Sequence, residues 1–336
     1  MTDAASISVI LAARNCAADL ETCLASLSGQ EYPRARVEVL VMDGGSTDGT
    51  RETAGRWNAE FVDAGYPDNQ EARRFLGWQK AKNELILVLD TDNILPHRTW
   101  LREMVRPFED PQIVAAQPLR YAHKTGDTPL NRYCALFGVN DPLPFYLHKA
   151  DRLSYLYDHW ALGGRVLEDR GTYYKVRFTQ NDLPTVGSNG FFVRRGAWQG
   201  FRGAPEAFFH IDVNYDLLAA GHDTYGIVKT SIHHVTARDL PASIAKRVRY
   251  MGLHYDRMRS LRRYKVFDPA RPRDWWHLAK FVVFALTLVQ PAALSLKGWL
   301  RVRDRAWWLH PWVCLRFLAA YGGWFLRSRG ARRCAS

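Results

Sequence analysis

The sequence predicts an α/β fold, a doubly wound and mostly parallel central sheet followed by a C-terminal helical region. Three observations predict it. A strand-length apolar run, LILVL at 85–89, stops abruptly at Asp90-Thr91-Asp92. Two earlier runs, ISVIL at 7–11 and VEVLVM at 37–42, are separated by a helical pattern. From residue 237 onward, 21 Lys and Arg face 5 Asp and Glu, a net +16 against −4 for the preceding chain.

The first strand is followed by Ala12-Ala13-Arg14-Asn15 and then by a helix over 18–27, with Leu20, Leu24 and Leu27 at helical spacing. The second strand runs into DGGSTDGT at 43–50, where glycines permit a tight turn and Ser46, Thr47 or Asp48 can cap the next helix. An unbroken apolar run such as 85–89 reads as a strand covered on both faces. Carboxylates are rarely left in such a core, so the strand surfaces into a polar cleft at Asp90. Residues two apart on a strand face the same side, which lets Asp90 and Asp92 converge on one divalent cation. The order strand, helix, strand, acidic turn, helix, strand, acidic pair is that of a doubly wound nucleotide-binding half. Its ligand site lies at the carboxyl ends of the strands.

The segments ISVILAARN (7–15), VMDGGSTDGT (41–50), GWQKAKNELILVLDTDN (77–93) and HIDVNYDLLAAGHD (210–223) together resemble family 2 glycosyltransferases of GT-A fold. The resemblance covers roughly residues 5–255. Asp92-Asn93-Ile94-Leu95-Pro96 and PTVGSNGFFVRRGAW at 184–198 look most like members that build bacterial surface polysaccharides or glycolipids. The resemblance implies a metal-dependent, inverting transfer of sugar from a UDP- or GDP-linked donor. Asp90 and Asp92 would hold Mn²⁺ or Mg²⁺, with His234 favoured over His233 to complete the metal or diphosphate site. Ala12, Arg14, Asp43, Arg74 and Asp90 would hold the donor, Asp43 through the base edge. Asp212 would be the catalytic base, with Asp216 as fallback. Two departures stand out: many members carry proline at Ala12 and Arg-Asn at Arg74-Phe75. Ile211 also replaces an acid often found before the base.

Composition points to an enzyme at a surface. With 336 residues and 47% hydrophobic content, the chain can bury an α/β core and carry a second region. Residues 1–6 are short and polar, so no signal peptide is expected. The cysteines at 16, 23, 134, 314 and 334 lack metal-ligand spacing, and their odd number fits a reducing compartment. The catalytic part is therefore expected at the cytoplasmic face of the inner or plasma membrane. In the basic C-terminal region, 281–296 is free of charge and 307–326 is apolar apart from His310 and Arg316. Tryptophans cluster at the ends of both runs, as at membrane–water interfaces. An anionic membrane surface explains charge, apolar runs and Trp together, and nucleic acid does not.

A span needs about 20 apolar residues, and Pro291 and Pro311 invite bends. Shallow in-plane or hairpin helices are therefore expected, with a transmembrane pair as the alternative. Lys246, Arg247 and Arg249 fall on an amphipathic helix that either binds a lipid-linked phosphate or solvates one face. The expected division is a catalytic domain at 1–240, a basic connector at 241–270 and membrane-associated helices at 271–336. The expected partners are a nucleotide-sugar and a lipid-linked acceptor, a polyprenyl phosphate or diphosphate. The alternatives are a sugar-nucleotide nucleotidyltransferase, which would need a glycine-rich N-terminal loop that Ala12-Ala13-Arg14-Asn15 lacks, and a non-catalytic membrane scaffold.

Overall fold

The computed structural model describes residues 4–198, 203–236, 239–253 and 258–333. Cys334 lies outside them; Cys16, Cys23, Cys134 and Cys314 are free thiols. The chain forms β1 (Ile7–Ala13), α1 (Ala17–Ser28), β2 (Val37–Asp43), α2 (Thr50–Arg56), β3 (Glu60–Asp63), α3 (Gln70–Lys80) and β4 (Leu85–Leu89). It continues through β5 (Asn93–Ile94), α4 (Trp100–Val105), β6 (Ala115–Tyr121), α5 (Pro129–Phe137), α6 (Pro142–Tyr146), β7 (Arg165–Asp169), β8 (Tyr173–Arg177) and β9 (Phe191–Arg194). Next come α7 (His210–Ala219), β10 (Thr224–His234), α8 (Leu240–Tyr250), α9 (Pro272–Thr287), α10 (Val289–Arg301) and α11 (His310–Arg333).

These elements form two compact units. One comprises Met1–Ala122 with Gly163–His234, the other His123–Leu162 with Val235–Ser336. The expected division was contiguous; the observed units interleave, because 123–162 packs with the C-terminal residues.

The first unit holds one mixed sheet in the order β3-β2-β1-β4-β9-β6-β10-β8-β7, with β5 paired to β10. β1, β2, β3 and β4 run parallel, as do β6 and β10, while β9 lies antiparallel between β4 and β6. All five residues of β4 are buried. Each such aliphatic contributes roughly 1.5–3 kcal/mol relative to exposure, which anchors the strand end that carries Asp90. A register shift in β10 between Val228 and Ser231 redirects its last residues, and there His234 pairs with Asn93 of β5.

The second unit is helical. Thr128 caps α5 and Gly138 ends it in the left-handed region (φ +71°); a Cβ there would come 2.4 Å from the Arg152 carbonyl oxygen. α9 stops at Thr287 because Pro291 has no N–H for that carbonyl and its ring would strike it. Leu288 turns the chain with φ +59°, and α10 leaves at 83° to α9. Gly298 leaves room on α10 for the ring of Trp307, which is wholly buried. Among the described residues no single helix is long and apolar enough to cross a membrane, though the bent α9–α10 pair passes by length and composition.

Candidate active site and metal centre

The 43–50 turn is built by its own acids. Asp43 is buried, and its Oδ2 accepts from the N–H groups of Gly45 (2.8 Å) and Ser46 (2.8 Å), while Oδ1 accepts from the Ser46 hydroxyl. Asp48 accepts from the backbone N–H of Thr50 (3.0 Å) and of Ala17 (3.1 Å), so one carboxylate ties together the starts of α1 and α2. The Thr50 hydroxyl also donates to it and, as the largest cause, holds its pKa below the usual carboxylate range. Gly49 holds the N-cap position of α2, and Asp48 ties down the turn just before it. Ala12 is buried in β1 opposite Met42, and Arg14 donates to the Pro67 carbonyl (2.9 Å) and Asp68 (2.9 Å).

At the end of β4 the chain closes a turn on itself. The Asn93 side-chain oxygen accepts from the Asp90 N–H (3.0 Å), and the Asn93 N–H donates to the Asp90 carbonyl (3.0 Å). Asn93 Nδ2 donates to Asn189 Oδ1 (3.0 Å), and Asn189 itself sits in the left-handed region at φ +54°. This turn, together with the β5–β10 pairing, brings Asp90, Asp92 and His234 into one cluster whose ligand atoms all lie within 4.8 Å of one another. His234 Nε2 is 3.5 Å from Asp92 Oδ1. His233, its neighbour on β10, is buried and does not join the cluster. Two carboxylates and one imidazole form a mostly hard donor set that suits Mn²⁺ or Mg²⁺ and leaves coordination positions for phosphate oxygens.

Asp90 is further gripped from behind. Gln70 Nε2 donates to its Oδ1 (3.0 Å), and so does Arg74. Arg74 is itself buried, paired with Glu71 one turn earlier and 3.2 Å from His210 Nδ1. Glu71 Oε2 accepts from the His210 backbone N–H (3.0 Å) and lies 2.8 Å from His210 Nδ1. Glu71, Arg74 and His210 therefore link the metal-side carboxylate to the first residue of α7. Arg74, expected to hold the donor, directs Nη1 and Nη2 into this network.

Asp212 lies in the first turn of α7, not before the helix, and its side chain is fully buried. Asp216, one turn on, is half-buried. α7 is pinned from below by Asn214, which donates to the Val186 carbonyl (3.1 Å) and accepts from the Tyr225 hydroxyl (3.1 Å). Lys246, Arg247 and Arg249 fall on α8 of the second unit, capped by Asp239. Sequence reasoning did not find Gln70, Glu71, His210 or Asn189. Glu71 and Arg74 at helical i, i+3 spacing were a readable hint, but the His210 partner is 139 positions away.

A mixed, mostly parallel sheet with an acidic turn, a candidate metal site, at the end of its central strand defines a GT-A-like glycosyltransferase fold. The chain belongs to glycosyl transferase family 2, whose model matches residues 8–182. Over 133 residues it is 29% identical to glycosyltransferase AglE of Haloferax volcanii, covering 38% of this chain and 43% of that protein. Over 100 residues it is 33% identical to the uncharacterized glycosyltransferase MG060 homolog of Mycoplasma pneumoniae, covering 28% of this chain and 33% of that one. The matches thus span less than half the length of these curated relatives. In three dimensions it is similar to mannosyltransferase PcManGT from Pyrobaculum calidifontis, solved in complex with GDP-Man and Mn²⁺. The TM-score is 0.55 at 18% identity, over 95% of this chain and 87% of that one. That likeness shows the fold.

Proposed function

We propose that this glycosyltransferase is metal-dependent and inverting, and that it moves a sugar from a UDP- or GDP-linked donor to a lipid-linked acceptor, a polyprenyl phosphate or diphosphate, at a membrane surface. The convergence of Asp90, Asp92 and His234 at the end of β4 carries this reading. The same fold holding GDP-Man and Mn²⁺ in PcManGT supports the donor class and the metal. The cation, when bound, neutralises charge on the departing nucleoside diphosphate. Asp92 and His234 hold it, and Asp90 joins them while Gln70 and Arg74 fix its orientation. Asp43 shapes the 43–46 turn and accepts from the base edge of the donor, beside Ala12 and Arg14. Asp212 takes the proton from the acceptor hydroxyl, on the side of the sugar opposite the leaving phosphate.

Residues 1–240, apart from 123–162, which pack with the C-terminal helices, serve as the catalytic domain, 241–270 as a basic connector and 271–336 as the membrane-associated part, lying in the plane of the cytoplasmic leaflet. Among the described residues, every exposed large apolar side chain lies between 261 and 326, including Trp275, Trp276, Leu286, Val289 and Trp312. Basic side chains stand over several of these rings: Lys280 is 4.8 Å from the Trp276 ring centroid and Arg316 is 5.5 Å from that of Trp312. Apolar insertion resists salt and electrostatic attraction does not. Binding to anionic vesicles should therefore persist in high salt and be released by detergent. The donor test is a panel of nucleotide-sugars, with hydrolysis measured in Mn²⁺, Mg²⁺ and EDTA. One donor class consumed only with metal is expected; full turnover in EDTA refutes the metal-dependent mechanism.

A further inference from the structure

The second unit contains a cavity of about 200 Å³, walled by the end of α6, the 150–162 segment and the bent α9–α10 pair. Pockets for drug-sized ligands run about 300–1,000 Å³, so this one is too small for a nucleotide-sugar. Its wall has two characters. His148, Arg152, His277 and Lys280, the last with its ammonium also 4.8 Å from the Trp276 ring, supply cationic or protonatable groups, and among the described residues no Asp or Glu lines it. Phe284 and Leu294 extend it as apolar surface. The spacing explains the arrangement. Positions 277, 280 and 284 share one face of α9, whereas Trp275, Trp276, Val283 and Leu286 of the same helix are exposed.

The basic groups crowd one another. The His148 and His277 rings lie 4.6 Å apart, and Arg273 Nε donates to His277 Nε2 (3.3 Å). Both imidazoles are held below the usual histidine range. For His277 the causes are burial, then His148, Arg273 and Lys280, with Asp274 opposing; for His148 they are burial, then Arg273 and Lys280. His148 is also placed in the left-handed backbone region at φ +56°, an uncommon conformation for a non-glycine residue. An anion among these groups would offset their mutual repulsion. The back wall is already set: the Tyr146 hydroxyl donates to Gln290 (2.7 Å) and lies 3.0 Å from His310 Nε2.

We propose that this cavity binds a phosphate group carried on an apolar chain, the phosphate against Lys280 and the His148–His277 pair and the first carbons of the chain against Phe284 and Leu294. The site rests on the proposed lipid-linked acceptor only for the biological source of that phosphate; the chemistry is the same for a phospholipid headgroup.

Calorimetric titration of the full-length protein in dodecyl maltoside micelles tests it, with farnesyl phosphate, farnesol, inorganic phosphate and dihexanoyl phosphatidylglycerol as probes. Farnesyl phosphate is expected to bind and to weaken at least about tenfold in Lys280→Gln and in His277→Gln. Arg327→Gln, which removes an exposed charge elsewhere on the same unit, is expected to bind as the wild type does. Competition by dihexanoyl phosphatidylglycerol at equal strength supports the site with bilayer lipid as its source, and weak competition supports it with the acceptor as its source. Farnesol binding as tightly as farnesyl phosphate overturns the phosphate contact. Inorganic phosphate binding equally tightly overturns the chain contact, and undiminished binding in the Lys280→Gln, His277→Gln double variant overturns the location. Donor hydrolysis by the wild type is read separately. Its absence alongside intact farnesyl phosphate binding defeats the transferase reading and leaves this site standing, and the reverse result does the opposite.

Discussion

The sheet-bearing unit and the helical unit differ in where their large apolar side chains meet the surface. In the first, aliphatics are inside and none of the described large apolar side chains is exposed, while Glu71, Arg74, Asp90 and His210 form a chain of partners beside the candidate metal cluster. In the second, Trp275, Trp276, Leu286 and Val289 face outward, while the interior holds apolar clusters together with buried ion pairs such as Lys149–Asp274 and a neutral histidine network. There His310, fully buried, has its Nδ1 2.9 Å from the Tyr133 hydroxyl and its Nε2 3.0 Å from that of Tyr146. The difference lies in what each unit leaves at its surface: among the described residues the exposed large apolar side chains all belong to the helical unit, whereas the sheet unit gathers two acids and a histidine at one strand end.

Chemistry should break first on the sheet side. Asp212→Asn is expected to lower sugar transfer roughly 10² to 10⁴-fold with donor affinity nearly unchanged, read by steady-state kinetics. If Asp216→Asn instead shows that loss and Asp212→Asn does not, the base lies one turn further along α7. Glu71→Gln should destabilise the protein by about 3–5 kcal/mol, because it leaves Arg74 short of a buried partner, measured by urea denaturation. It should also weaken Mn²⁺ affinity about 10 to 100-fold through loss of support for Asp90. Unchanged metal affinity would detach that network from the site.

The helical unit should answer to acid instead. Burial pushes the His310 pKa down to about 3. Between there and the unfolded value near 6.5 the unfolded chain binds the extra proton, so stability falls as pH drops below 6.5. From pH 6.5 to 5 the loss is about 2 kcal/mol from this residue. Asp141, raised by burial, contributes the opposite slope. Comparing urea midpoints of wild type and His310→Gln at the two pH values isolates the histidine, and an identical slope in both would refute its role. The smallest effect on folding belongs to the outer face. Trp276→Ser with Leu286→Ser should move stability by no more than about 0.5 kcal/mol per site in detergent, yet reduce binding to anionic vesicles in high salt. Unchanged vesicle binding would remove the contrast between the units.

Much of the sheet unit was readable in order. β1, β2 and β4 announce themselves because fully buried strands need continuous aliphatic runs, and Asp90 and Asp92 because acids end such a run only where the strand reaches a cleft. The expectation that one of two adjacent histidines would join them follows from strand alternation, and His234 is the one in the cluster. The break at Pro291 was also legible, since its cause is local. Three things were not. β9 enters antiparallel between β4 and β6, residues 123–162 pack with the C-terminal helices, and α7 begins at His210, which places Asp212 inside a helix.

The amino-acid sequence alone determined the strand runs, the acidic turn, the charge division near residue 237 and the apolar, Trp-rich character of the C-terminal hundred residues. Each of these depends on interactions within a few residues or on composition. Only the tertiary structure decided that β5 pairs with β10, that Glu71 and Arg74 reach across to His210, and that the tryptophans of α9 face outward while His277 and Lys280 face a cavity. Such pairings join residues up to 141 positions apart. A partner at that distance is chosen by the packing of the whole unit, and no local pattern records it.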